Sequence, residues 1–119
     1  MTKIAATTLW VVLAVATAPA TAAEDRESAN FMLPACKTFV SGRATLAQAY
    51  GVGVCFGEFT VLAAVGSALP DQAFCLPERV TLGQMAQIVI RDLEKKPERW
   101  HENFVSLAID ALHRAFPCR

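Results

Sequence analysis

The sequence predicts an all-α fold, a small four-helix (or four- to five-helix) bundle cross-linked by two disulfides. Three observations carry that expectation. No window alternates apolar and polar residues with the period of two that a half-buried strand requires. Four windows instead repeat apolar residues at three- and four-residue intervals, the spacing of one helix face. Finally, the chain opens with an export signal, and all four of its cysteines fall after it.

The opening reads MTKIAATTLWVVLAVATAPATAAEDRE. Lys3 and the amino terminus form a short positive region, and Ile4 to Ala18 is apolar apart from small threonines. Ala18-Pro19-Ala20, Ala20-Thr21-Ala22 and Thr21-Ala22-Ala23 are then small-x-small cleavage sequences. A membrane anchor needs about 20 apolar residues, and the charges from Glu24 to Glu27 close this window early. We therefore expect residues 1–23 to be a signal peptide and residues 24–119 to form one small domain. Its core alone supports only marginal stability. Without Lys3, ten basic side chains face eleven acidic ones, with no long run of either sign. Neither nucleic acid nor, after signal cleavage, a membrane is indicated as a partner.

The first helix spans about Asn30 to Ser41, with Asn30 as its cap, Pro34 in its first turn and Ser41-Gly42-Arg43 as its stop. The second runs from about Thr45 to Ser67, and Thr45 with Gln48 fits a capping box. Leu46, Ala49, Tyr50, Gly53, Gly57, Thr60, Val61 and Ala64 share one stripe, while Val52, Cys55, Phe56, Phe59, Leu62 and Ala63 cover much of the rest. A helix apolar nearly all round belongs at the centre of a bundle. Glycine costs about 1 kcal/mol in a helix interior, so a neighbouring helix is expected to approach closely at Gly53 and Gly57. The third helix opens with Thr81 as N-cap, Gln84 as its reciprocal partner, and Val80 and Met85 as a hydrophobic staple. Leu82, Met85, Ala86, Val89 and Leu93 mark its buried stripe, and Lys95-Lys96-Pro97 ends it with cations at the negative pole of the helix dipole. The fourth holds Trp100, Phe104, Leu107, Ala108, Ala111, Leu112, Ala115 and Phe116, and stops at Pro117.

Helices two and three are separated by ALPDQAFCLPERV, a long connection of the kind that compact domains tie down. The last two helices, joined by a short link, should run antiparallel and return Cys118 to the level of Cys75. Cys36 and Cys55 then lie on two helices joined by a tight turn and able to face each other. Of the three connectivities open to four cysteines, Cys36–Cys55 and Cys75–Cys118 are therefore expected. The chain-entropy relation assigns them roughly 3 and 4 kcal/mol.

Chemistry has few footholds. Structural zinc sites bring cysteines in pairs two to four residues apart, and no pair here is so close. His101 and His113 are not at i,i+4 spacing and flank no cysteine. A thiol nucleophile needs a free, low-pKa cysteine beside a base, and four exported cysteines leave no odd thiol. No cofactor, metal or catalytic residue is expected. Glu58 is the one charge inside the apolar second helix, reaching water through a gap or facing a partner. Trp100 serves either as a core or helix-entry anchor or as an interface aromatic beside Lys96 and Arg99.

The segments FMLPACK, GVGVCFG and AFCLPERVTLGQMAQIVIRDLEKKPERWHENFVSLAIDALHRAFPC resemble the Rap/Tai family of type VI secretion immunity proteins. The shared pattern covers Phe31 to Cys118 and departs from the family at Lys96, often a His there, and at Val54, often an aromatic. The resemblance implies a periplasmic, non-enzymatic, all-helical protein, a possible homodimer, that binds a peptidoglycan amidase effector and blocks its cleft. A cleft-blocker needs a rigid scaffold presenting a loop or helix end. The candidate contact residues are Asp71, Gln72, Phe74, Glu78 and Arg79 in the Cys75-tethered loop, and Lys96, Glu98, Arg99 and Trp100 in the Lys95–His101 turn. The alternatives are a small disulfide-linked stress chaperone and an apolar-ligand carrier using the glycine-lined second helix.

Overall fold

The computed structural model describes residues 26–71 and 73–119. The expected signal segment, residues 1–23, and the candidate Gln72 lie outside the described residues. Four α-helices follow one another, with no strand among the described residues: α1 (Ala29–Ser41), α2 (Ala49–Val65), α3 (Leu82–Glu94) and α4 (Phe104–Ala115). Short 3-10 turns at Leu46–Gln48, Gly66–Ala68 and Pro97–Arg99 link them.

Helix α1 begins one residue before the expected cap. Ser28 takes the N-cap position, and the first amides are satisfied by another part of the chain. Ala29 N–H donates to the Glu102 carbonyl at 3.1 Å and Asn30 N–H to the Trp100 carbonyl at 2.8 Å. The earlier start moves Pro34 from the first turn into the second, where its missing N–H removes an interior bond. Gly42, at φ +67°, ends the helix in the left-handed conformation that glycine adopts without steric penalty. Helix α3 follows its sequence signals closely. Gln84 N–H donates to Thr81 Oγ1 at 3.1 Å, and Thr81 N–H donates to Gln84 Oε1 at 2.8 Å, so the capping box closes both ways.

One core joins all four helices. Met32, Leu33 and Cys36 from α1 meet Cys55, Phe59 and Leu62 from α2. Met85, Val89 and Leu93 from α3 meet Phe104, Leu107 and Leu112 from α4. Phe59 and Phe104 pack edge to face, with ring centroids 6.1 Å apart. The disulfides pair as the helix arrangement predicts, Cys36 with Cys55 (Cα–Cα 5.3 Å) and Cys75 with Cys118 (Cα–Cα 5.0 Å).

Helix α2 departs from expectation in two ways. It is not central: across Leu46–Ala68 only 22% of the most apolar stretch is buried, and Tyr50, Phe56 and Val61 of α2, with Leu46 (94% exposed) in the turn before it, are exposed. Four helices are too few to enclose one of their number, so α2 packs by the face carrying Cys55, Phe59 and Leu62. Nor do neighbours approach at Gly53 and Gly57, where an added Cβ would meet nothing within 4 Å. The close approaches are elsewhere. A Cβ at Gly51 would lie 3.0 Å from the Ala35 Cβ of α1, and one at Gly66 would overlap the Phe74 ring.

The fourth helix starts later than its apolar period. Trp100 falls in the turn before it, and Asn103 caps α4 by accepting from Ser106 N–H at 3.1 Å. The period continues through the turn because Trp100 packs on the same core as Phe104.

Candidate functional site

Two candidate surfaces arise from the segments that bracket α3. The first is the connection at residues 69–80, fastened at several points along its length. Phe74 is 1% exposed and lies over Gly66. Cys75 N–H donates to the Phe116 carbonyl at 2.9 Å beside the Cys75–Cys118 disulfide. His113 Nδ1 is in hydrogen-bond contact with the Ala73 carbonyl, which adds a tie to α4. These anchors leave two exposed tips, Pro70-Asp71 and Pro77-Glu78-Arg79. Asp71 (φ 61°) and Arg79 (φ 72°) hold left-handed backbone, a conformation that persists in non-glycine residues only where the surroundings enforce it. A groove of about 570 Å³ opens next to this connection, lined by Val40, Val80, Gln84, Ile88 and Phe116.

Of the candidate contact residues in this connection, Asp71, Glu78 and Arg79 are presented outward. Phe74 is not, because its ring fills the space that Gly66 leaves open. Its assignment as a contact residue is therefore corrected to a core anchor.

The second surface is the Pro97–Arg99 turn, and internal bonds hold most of its charge. Lys96 Nζ donates to both carboxylate oxygens of Asp92 at 3.1 Å. Arg114 Nη2 donates to the same carboxylate at 2.7 Å. Burial pushes the Asp92 carboxyl up, but the hydrogen bonds and charges of Lys96 and Arg114 outweigh it and hold the group below its ordinary value of 3.8. Arg99 grips Glu102 in a two-pronged bond, Nε to Oε1 at 2.8 Å and Nη2 to Oε2 at 2.7 Å, and also lies 3.9 Å from Asp110. The Arg99 bond keeps the Glu102 carboxyl below its usual range. Trp100 is half-buried, and its Nε1–H donates to the Leu93 carbonyl at 2.8 Å. Sequence reasoning left Trp100 between anchor and interface aromatic; its indole is committed to the end of α3. Glu98 is the candidate on this turn that points outward without an ion pair among the described residues.

The two surfaces are not adjacent. They sit at opposite ends of α3, whose 13 residues separate them by about 20 Å. A separate pocket of about 520 Å³ lies between α2 and the start of α4, with Glu58 in its wall. The sequence marked Glu58 as unusual but gave no means of placing it, since its neighbours come from three helices. The outward apolar face of α2 was also missed; a solvent-facing stripe and a core stripe have the same composition in this helix. Among the described residues, no three His, Cys, Asp or Glu side chains gather as metal ligands would.

Set beside known proteins, residues 16–118 match the family of Rap1a immunity proteins. No curated protein and no solved structure matches.

Proposed function

From the premise that this chain belongs to the Rap1a immunity protein family, we propose that it binds and blocks a peptidoglycan amidase effector of type VI secretion in the periplasm. Residues 1–23 direct its export, and the mature domain acts by occupying the effector's cleft, without catalysis of its own. The observation that carries this reading is the family match across residues 16–118. The geometry supports it in a specific way. A blocker gains affinity when the segment it inserts is ordered before binding, because less entropy is lost on association. Pro77-Glu78-Arg79 meets that requirement, held by a disulfide on one side and by the capped start of α3 on the other. Glu98 on the second turn extends the contact to a separate part of the effector. A homodimer fits the outward face of α2, where Leu46, Tyr50, Phe56 and Val61 offer apolar area to a second copy.

The test is an assay of a type VI peptidoglycan amidase, beginning with any encoded beside the gene, with and without the oxidised mature protein. Stoichiometric loss of cell-wall cleavage is expected. Double substitution of Glu78 and Arg79 by Ala should weaken inhibition by about tenfold or more, as loss of interface anchors does. An amidase left fully active at equimolar protein would defeat the proposal. The carrier reading draws no support from Gly53 and Gly57, where an added Cβ would meet nothing within 4 Å.

A further inference from the structure

Glu58 stands apart from the other half-buried carboxylates of this protein. Asp92 and Glu102 are the comparable groups, and each is held by a cation, Asp92 by Lys96 and Arg114 and Glu102 by Arg99. Glu58 is also half-buried, yet among the described residues it has no hydrogen bond and no ion pair within 4.0 Å. A carboxylate partly withdrawn from water and left without a partner is costly. The helix carrying it has no other charged residue from Ala49 to Val65.

The surroundings of Glu58 define what would complete it. Val54 and Val105 give the pocket apolar walls, backed by the buried Met32 and Phe104, and Tyr50 in its lining is exposed. The polar groups facing it are Glu58 and Glu27, both acidic, with Arg26 and Asn103. The charge of the lining is therefore negative by one. A pocket with apolar walls, lined also by an unpaired carboxylate and an exposed aromatic ring, matches a cation carried on a hydrocarbon stem. Backbone fixes the walls. The Ser28–Asn103 bridge and the bonds from Ala29 and Asn30 to the preceding turn lock α1 to the start of α4.

We infer that this pocket receives a lysine or arginine side chain of the protein partner. The partner's aliphatic stem lies against Val54 and Val105, and its ammonium or guanidinium group pairs with Glu58. The inference rests on the proposed role as an inhibitor bound to another protein, and it adds an anchor point between α2 and the start of α4. Pairing a desolvated carboxylate across an interface fixes register and slows dissociation.

Two measurements test it. In the first, the oxidised mature protein is titrated with Nα-acetyl-lysine N-methylamide, with the norleucine analogue as the uncharged control, and amide shifts are followed by NMR. Saturable shifts at residues 54–58 and 103–105 with the lysine compound, absent with norleucine and absent in Glu58→Gln, are expected. Shifts that are equal for both compounds, or that survive Glu58→Gln, overturn the inference. So does a pocket whose signals move only on concentrating the protein alone, which would assign it to a second copy of this chain. In the second, Glu58→Gln is compared with the parent protein for amidase binding. The variant should fold normally, having no internal partner to lose, and should bind about tenfold more weakly, mainly through faster dissociation. Unchanged affinity in a protein that still inhibits the amidase overturns the pocket assignment and leaves the inhibitor role standing. Failure of the parent to bind any amidase defeats the inhibitor role, and the lysine titration still reads the pocket.

Discussion

Asp92 accepts hydrogen bonds from Lys96 and Arg114 at once, and so links the end of α3, the turn after it and α4. Its carboxyl is held below the ordinary value of 3.8, so it contributes stability above that pH. The contribution fades as pH falls through the folded-state value, because the folded protein must then take up the proton it resists. Lys96 and Arg114 are partly exposed (31% and 50%), so solvent screening keeps the network near the upper end of the range for surface pairs. Asp92→Asn should therefore lower stability by about 1 kcal/mol at neutral pH. In thermal melts the difference from the parent should be full at neutral pH and should shrink in acid below 3.8, as the folded-state carboxyl takes up its proton. An equal deficit at both pH values would assign Asp92 a packing role instead. The same bonds commit Lys96 and Arg99 to internal pairs, with which a partner carboxylate would have to compete. Trp100 shows the reverse limit, because its hydrogen bond to the Leu93 carbonyl depends on a helix end that only the fold brings near.

Gly57 in α2 and Gly66 in the 3-10 turn that follows it give a contrast between neighbouring elements. At Gly57 the helix faces open space, so Gly57→Ala should stabilise the protein by roughly 0.5–1 kcal/mol through helix propensity and a less mobile unfolded chain. At Gly66 a Cβ would come within 3.0 Å of three atoms of the buried Phe74 ring. Gly66→Ala should cost about 1–3 kcal/mol as an overpacking substitution. Urea unfolding of the two variants checks the pair, and a destabilised Gly57→Ala would show a contact on that face. The connection after α2 has its own test. Cys75→Ser should expose the amides of residues 73–80 to faster hydrogen exchange while α1 and the Cys36–Cys55 end keep their protection. The anchors at Phe74, Cys75 and Ala73 all lie on one short segment, so losing the covalent one releases it locally first.

At the scale of the whole molecule the helical domain is small, and its two cross-links close sequence separations of 19 and 43 residues. Together they contribute about 7 kcal/mol in the chain-entropy relation, comparable with the total stability of a small domain. Reduction of both should leave the protein largely unfolded near 37 °C, with the loss of helical circular dichroism as the readout. A reduced protein that melts with the oxidised one would show that the core suffices alone. Inhibition of an effector should be lost along with the fold.

Sequence alone determined the helix class, three of the four helix terminations, the capping box of α3 and the pairing of the cysteines. Each depends on neighbours within one or two turns, or on connection lengths that leave few arrangements open. Thr81 and Gln84 fix their helix start in this way, as Gly42 fixes the end of α1. Tertiary structure decided which face of α2 is covered, where its glycines are needed, that Phe74 is core rather than contact, and that Glu58 borders a pocket. Those outcomes follow from how many helices are available to surround a given face and from which side chains meet across α1, α2 and α4. A helix apolar on all sides carries no record of either. Periodicity reports that a residue can be buried, and only packing against particular neighbours decides whether it is.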